Sequence, residues 1–232
     1  MYTYLKTYPD TNPRPASAAH ETPVVFIVDN DDSARDSLEL LVRSAGWRPE
    51  PFSSAREFLS HPRALVPNCL VLDVNLPDLS GLDLQQHVCA ERTDMPIIFV
   101  TGHGDISTTV RAMKAGAVEF LTKPCGDDAL LAAIDAALQR SKMVLARDGE
   151  MRTLRERHTS LSRREQEVMA LVVSGLLNKQ VGFELGISEI TVKAHRGHMM
   201  RKMNARCLPE LVNMALRLGI THQFQAPLAL AS

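Results

Sequence analysis

The chain has 232 residues, 26 Lys and Arg against 27 Asp and Glu, and a formal net charge of -1. That length suits one large domain or two small ones, each able to bury its own core. The four cysteines, Cys69, Cys89, Cys125 and Cys207, show no paired spacing, which argues against a disulfide framework or a thiolate metal site and fits a reducing cytosol. No apolar run has signal-peptide or membrane-span character, so the chain is expected to be soluble and cytoplasmic, with no membrane partner.

The near-neutral total conceals an asymmetry. Counting Lys and Arg against Asp and Glu, residues 1–138 hold 11 and 19, residues 139–158 hold 6 and 3, and residues 159–232 hold 9 and 5, giving nets of -8, +3 and +4. A basic back half behind an acidic front suggests a polyanion partner for the C-terminal part, although ordinary surface charge explains the counts equally well on its own.

Residues 1–22, with Pro9, Pro13 and Pro15 among scattered polar side chains, are read as a flexible arm. From Pro23 the chain alternates short apolar runs with helix-like patterns. Candidate strands are Val24 to Val28, Arg48 to Phe52, Cys69 to Leu72, Pro96 to Val100 and Glu119 to Thr122, by their β-branched or aromatic content and abrupt polar ends. Amphipathic segments lie between them at Ser33 to Ala45, Ala55 to Leu59, Leu82 to Arg92, Ser107 to Ala115 and Asp127 to Arg140. Five such units, residues 23–140, imply an α/β domain whose parallel sheet carries helices on both faces.

Residues 141–158 are strongly charged, contain Gly149 and show no strand signal; they are read as a linker, partly helical. Beyond it the pattern is helical only. Ser162 with Glu165 makes a capping box for a helix over Arg163 to Ser174. Asn178 to Leu185 makes a second helix, Ser188 caps a third running to about Met203, and Leu208 to Leu218 makes a fourth. The tight turn Leu185-Gly186-Ile187-Ser188 has the spacing of a helix-turn-helix. This all-α domain is expected over residues 159–224, with a tail over 225–232.

The chemistry sits at strand ends. Asp29, Asp73 and Lys123 follow the first, third and fifth candidate strands, and Thr101 ends the fourth. With a strand order of 2-1-3-4-5, the first and third strands are neighbours, so the two carboxylates converge and Lys123 reaches in from the far side. Clustered oxygens of this kind suit Mg²⁺. A carboxylate beside that ion and a lysine can attack a phosphoryl donor, because cations offset the repulsion between anions. The competing reading has Asp32 or Ser33 capping the first helix, Asp73 solvating a loop and Lys123 as ordinary surface charge; coordinated placement on four separate strand ends disfavours it.

On these residues the first domain resembles the CheY-like receiver of bacterial response regulators. The resemblance implies Asp73 as phosphoacceptor, Asp29 as an acidic-pocket residue, and Lys123 before a cis-prone Pro124, with Thr101 and Phe120 as the switch pair. The metal set it implies is Asp29, Asn30, Asp73 and the main-chain carbonyl of Asn75. The family usually has two adjacent acids after the first strand, whereas Asp29 is followed here by Asn30. Losing that charge predicts weaker Mg²⁺ binding unless Asp31 or Asp32 compensates.

Leu161-Ser162-Arg163-Arg164-Glu165, Gly175, Asn178-Lys179 and Ile187-Ser188 through His195 closely resemble the LuxR-type helix-turn-helix. A basic third helix suits a recognition helix whose N-terminal part enters the major groove. Lys193 and Arg196 are the leading candidates for DNA contacts, joined by Asn178, Lys179, Thr191, His195 and Lys202. Gly197 inside the helix costs about 1 kcal/mol against Ala, so it marks either a close approach to DNA or local looseness. His195, His198 and Cys207 lack a fourth ligand at a zinc spacing. The two resemblances together imply a FixJ-like, two-component transcription regulator that takes a phosphoryl group from a sensor histidine kinase and binds double-stranded DNA as a homodimer on phosphorylation, with RNA polymerase as a further candidate partner. It is not expected to be an enzyme beyond catalysing its own phosphorylation and dephosphorylation. A phosphohydrolase using Asp73, and an atypical receiver that never uses phosphate, are the alternatives.

Overall fold

The structure is a computed structural model that describes residues 22–62, 65–102 and 104–220. The expected arm, apart from Thr22, and the expected tail lie outside the described residues. The chain divides into two compact units that meet in sequence between Leu145 and Ala146.

The first unit is built on five parallel strands, β1 (Val24–Val28), β2 (Arg48–Phe52), β3 (Asn68–Leu72), β4 (Ile97–Thr101) and β5 (Glu119–Thr122). Their order is β2-β1-β3-β4-β5, as the sequence predicts. Every residue of β1, β3 and β4 is buried, because a parallel sheet covered on both sides demands apolar side chains at consecutive rather than alternate positions. The alternation instead sorts them between two cores. Phe26, Leu70, Leu72 and Phe99 pack on one face with Phe58 of α2 (Ala55–Ser60), Leu84 and Val88 of α3 (Gly81–Glu91) and Ala112 of α4 (Ile106–Lys114). Val25, Ile27, Val71 and Ile98 pack on the other with Val42 of α1 (Asp32–Ser44) and with Leu130 and Ile134 of α5 (Asp127–Thr159).

Helix α5 departs from the sequence expectation. The pattern predicts an end at Arg140 before a partly helical linker, yet the helix runs unbroken to Thr159. Residues 141–159 contain no Pro and a single Gly, and are rich in Arg, Glu, Met and Leu, all good helix formers. Their polarity concealed the continuation. Tertiary contacts hold its two parts: Ser141 is buried with its hydroxyl accepting the Asn68 amide at 3.0 Å, and Leu154 is buried in the second unit's core.

That second unit contains α6 (Arg163–Val173), α7 (Asn178–Leu185), α8 (Glu189–Met203) and α9 (Leu208–Arg217). The capping box forms in full. Ser162 Oγ accepts the Glu165 amide at 3.3 Å and the Glu165 carboxylate accepts the Ser162 amide at 2.8 Å. Val168, Met169, Val181, Val192, Met199, Met203 and Leu211 form its core. The turn between α7 and α8 closes through an Ile187 amide to Gly182 carbonyl bond of 3.0 Å. A Cβ on Gly182 would stand 2.8 Å from the Ile187 carbonyl oxygen, so any larger residue there would push the two helices apart.

Candidate functional site

Parallel pairing aligns the ends of β1 and β3, with Val28 opposite Leu72. The next residue on each strand is therefore an aspartate at the same edge, and the Asp73 amide still donates to Val28 at 2.9 Å. Asp29 is 2% and Asp73 is 8% exposed. Their carboxylates are held in the same way. One oxygen of each accepts the amide two residues on, from Asp31 to Asp29 at 3.0 Å and from Asn75 to Asp73 at 3.2 Å, the local turn that Asp favours. The other oxygen of each faces Lys123, whose Nζ lies 2.5 Å from Asp29 and 3.4 Å from Asp73.

One ammonium thus bridges two carboxylates, and the trio keeps one net negative charge. Burial pulls the Lys123 pKa down, but the hydrogen bond and charge of Asp29, joined by the charge of Asp73, outweigh it and hold the ammonium above its ordinary value. Lys123 reaches this place because its amide donates to the Thr101 carbonyl at 2.8 Å, extending the β4–β5 ladder by one step, and a cis peptide bond to Pro124 follows. Thr101 is fully buried at the end of β4. Phe120 is half-buried, its ring centroid 5.8 Å from that of Phe99. A Cβ on Gly104 would meet the Phe120 ring at 2.8 Å.

The side chains of Asp29, Asp73 and Lys123 therefore meet, Thr101 adjoins them through its main chain, and Asn30 is the exception. Asn30 is exposed between Asp29 and the helix cap. The residues expected to compensate for it are engaged elsewhere. Asp31 caps α1, accepting the amides of Ser33 at 2.9 Å and Ala34 at 3.2 Å, in place of the Asp32 or Ser33 cap considered from sequence. Asp32 pairs with Arg35 and is 87% exposed. Among the described residues no group of three or more His, Cys, Asp or Glu side chains gathers as a metal set.

Three supporting residues escaped sequence reasoning. Arg35 donates to the Asp29 carbonyl at 2.7 Å, fixing the loop after β1. Asp78, five residues past Asp73, accepts the amides of Ala55 and Arg56 at 3.2 and 2.9 Å and so ties the β3–α3 loop to the start of α2. Gly81 allows α3 to begin against the pocket: a Cβ there would lie 2.3 Å from the Asp73 carbonyl oxygen. Pro77 and Gly81 mark a turn after Asp73 in the sequence, but no sequence signal locates this contact or the partners of Arg35 and Asp78.

In the second unit the candidate DNA residues separate into groups. Arg196 donates to the Asn178 side chain at 3.0 Å. Thr191 belongs to the α8 cap, its amide donating to Ser188 Oγ at 3.1 Å. Lys193 makes an exposed pair with Glu189 at 2.9 Å, a kind of contact of little energetic weight. Lys179 is exposed and His195 half-buried. Lys202 stands apart from the rest, with its ammonium 2.7 Å from the buried Glu165 and 3.2 Å from the Ser160 carbonyl. Burial raises the Glu165 pKa, yet the Lys202 and Ser162 hydrogen bonds more than offset it and leave it below the usual glutamate value.

Comparisons with known proteins agree with both units. Residues 25–135 match the response regulator receiver domain, and residues 159–215 match the bacterial regulatory proteins of the luxR family. Nodulation protein W of Bradyrhizobium diazoefficiens is 51% identical over 85% of this chain and 87% of its own length. The transcriptional regulatory protein FixJ of Azorhizobium caulinodans is 41% identical over 84% and 93%. The solved structure of the response regulator StyR is 47% identical, covers 85% of this chain and all of its own, and superposes with a TM-score of 0.76. The chain belongs to the two-component response regulators of the FixJ type, which join a receiver domain to a LuxR-type helix-turn-helix DNA-binding domain.

Proposed function

We propose that this response regulator is switched by phosphorylation of Asp73 by a sensor histidine kinase, and that the phosphorylated chain binds DNA as a dimer to control transcription in the cytoplasm. The observation that carries this reading is the Lys123 ammonium held between Asp29 and Asp73. In the transfer, a bond forms from an Asp73 carboxylate oxygen to phosphorus as the bond from phosphorus to the donor breaks, the donor leaving with the electron pair. The new group brings roughly -1.5 to -2 charges and three acceptor oxygens. Lys123 is already within reach of them. Thr101, at the adjacent strand end, is the proposed hydrogen-bonding partner, and movement there would pass to Phe120 and the α4–β5 side of the domain.

The donor set fits Mg²⁺. The two carboxylates that meet there, of Asp29 and Asp73, are hard oxygen donors with residual negative charge; the Asn75 carbonyl is the proposed third donor, and Asn30 stands outside the group. When bound, the ion would neutralise charge on the transferring phosphoryl group. Asn30 also favours a second reading, an atypical receiver with weak or no phosphorylation whose DNA-binding domain acts constitutively or under control of a protein partner. RNA polymerase is a partner that either reading allows.

Incubating the full-length chain with Mg²⁺ and a small acyl phosphate separates the readings. Under the first, the natural chain gains a hydroxylamine-labile phosphate and DNA affinity, and Asp73→Asn loses both. No label with unchanged DNA binding would support the second. Sustained release of inorganic phosphate would indicate a phosphohydrolase.

A further inference from the structure

The buried row of α8 is Val192, Met199 and Met203. Steps of three and four residues place Ile190, Ala194, Gly197 and Arg201 on the side directly opposite. Each flank has side chains engaged by a neighbouring helix. Lys202 and His198 turn toward Glu165 of α6, at 2.7 and 3.9 Å, and Arg196 turns to Asn178 of α7. The outermost row of the helix is therefore apolar or bare over its first two turns, from Ile190 to Gly197, and reaches a cation only at Arg201 near its end.

That row is unusual for a surface helix, which ordinarily places polar groups farthest from the core. Ile190, in the first turn, is 80% exposed. Ala194 and Gly197 are exposed behind it, and a Cβ on Gly197 would meet no atom within 4 Å. Nothing among the described residues accounts for a helix that is aliphatic at its tip and bare along its crest. A major groove does: small residues let the helix backbone sink toward the base edges, and thymine offers a C5-methyl group that only an apolar side chain reads well. Arg201 at the far end of the row, and Lys193 and Lys179 beside it, all exposed, supply positive charge for the flanking phosphates.

We propose that Ile190 is a specificity-determining residue, contacting the C5-methyl group of a thymine in the major groove, with Ala194 and Gly197 setting the depth at which the helix lies. This rests on the reading of α8 as the recognition helix.

The test uses a duplex selected from a randomised pool by the full-length chain in Mg²⁺ and acyl phosphate. Each thymine is then replaced singly by uracil, which removes only the methyl group. At one position per half-site the natural chain is expected to bind uracil about fourfold more weakly, the factor for withdrawing one methyl from an apolar contact. Ile190→Ala should bind the thymine and uracil duplexes equally while melting at the temperature of the natural chain. Indifference of the natural chain to uracil everywhere, or an Ile190→Ala variant that keeps the full thymine preference, overturns the inference alone and points the exposed isoleucine at a protein partner. Failure of the natural chain to select any sequence overturns the recognition-helix reading with it.

Discussion

At the carboxyl edge of the receiver sheet Asp29, Asp73 and Lys123 satisfy one another, each carboxylate braced by a backbone amide and shared with a single ammonium. On α8 two cations, Lys202 and Arg196, turn toward neighbouring helices, while the first two turns of the outward row are left to Ile190, Ala194 and Gly197. The receiver thus concentrates charge where a small, highly charged group would add to it. The DNA-binding domain spends part of its charge on holding the helix in place and presents shape at the tip. A residue's charge alone is therefore a poor guide to its role: Lys123 and Lys202 are both lysines on buried carboxylates, one in a proposed reaction site and the other in a helix clamp.

Four measurements can break or sharpen that contrast. The largest effect is expected from Lys123→Met in Mg²⁺-free buffer, which leaves two nearly buried carboxylates facing each other and should cost the receiver about 3 kcal/mol. Fluorescence of Trp47, the single tryptophan, during chemical denaturation reads it. Because the folded pKa of Lys123 is raised, its contribution is complete below the unfolded lysine value of about 10.4 and is lost as pH rises through the folded value. The natural chain should show that alkaline loss and the variant should lack it. An unchanged midpoint would mean that the trio is solvated rather than paired.

Lys202→Ala should destabilise the DNA-binding domain by about 2 kcal/mol, the scale of a lost hydrogen bond to a charged group, seen as a lower second transition in calorimetry. Glu165 has a lowered folded pKa, so its contribution is present above the unfolded glutamate value of about 4.3 and disappears as pH falls through the folded value. The difference between natural and Lys202→Ala domains should therefore shrink in acid. A variant that instead loses DNA affinity at unchanged stability would return Lys202 to the reading surface.

Asn30→Asp should tighten Mg²⁺ binding by about tenfold, roughly 1.4 kcal/mol, measured by titration calorimetry; equal affinities would show that position 30 does not reach the cation. Least in size is Gly197→Ala, expected to stabilise the DNA-binding domain by about 1 kcal/mol, since the new methyl meets open space. A lower melting temperature would reveal a backbone need for glycine that α8 does not display.

Much of the receiver was legible beforehand because its signals are local. Apolar runs with abrupt acidic or threonine ends mark buried parallel strands, and β1, β2 and β5 have the bounds expected from sequence. The Ser162 capping box, the α7 range and the tight turn were readable for the same reason. Helix α5 was not, since its second part is polar and its continuation rests on Ser141 and Leu154 finding buried places that a periodicity argument cannot see.

By itself the sequence determined which residues end the strands, which helix is basic, and that Asn30 stands where an acid is usual. Tertiary structure alone decided that one lysine serves two aspartates, that Arg35, Asp78 and Gly81 support the pocket, and that Lys202 pairs with the buried Glu165. The physical reason is range. Strand and helix signals arise from neighbours a few residues apart, whereas a carboxylate's partner is chosen by packing across the fold, as in the 94-residue separation between Asp29 and Lys123.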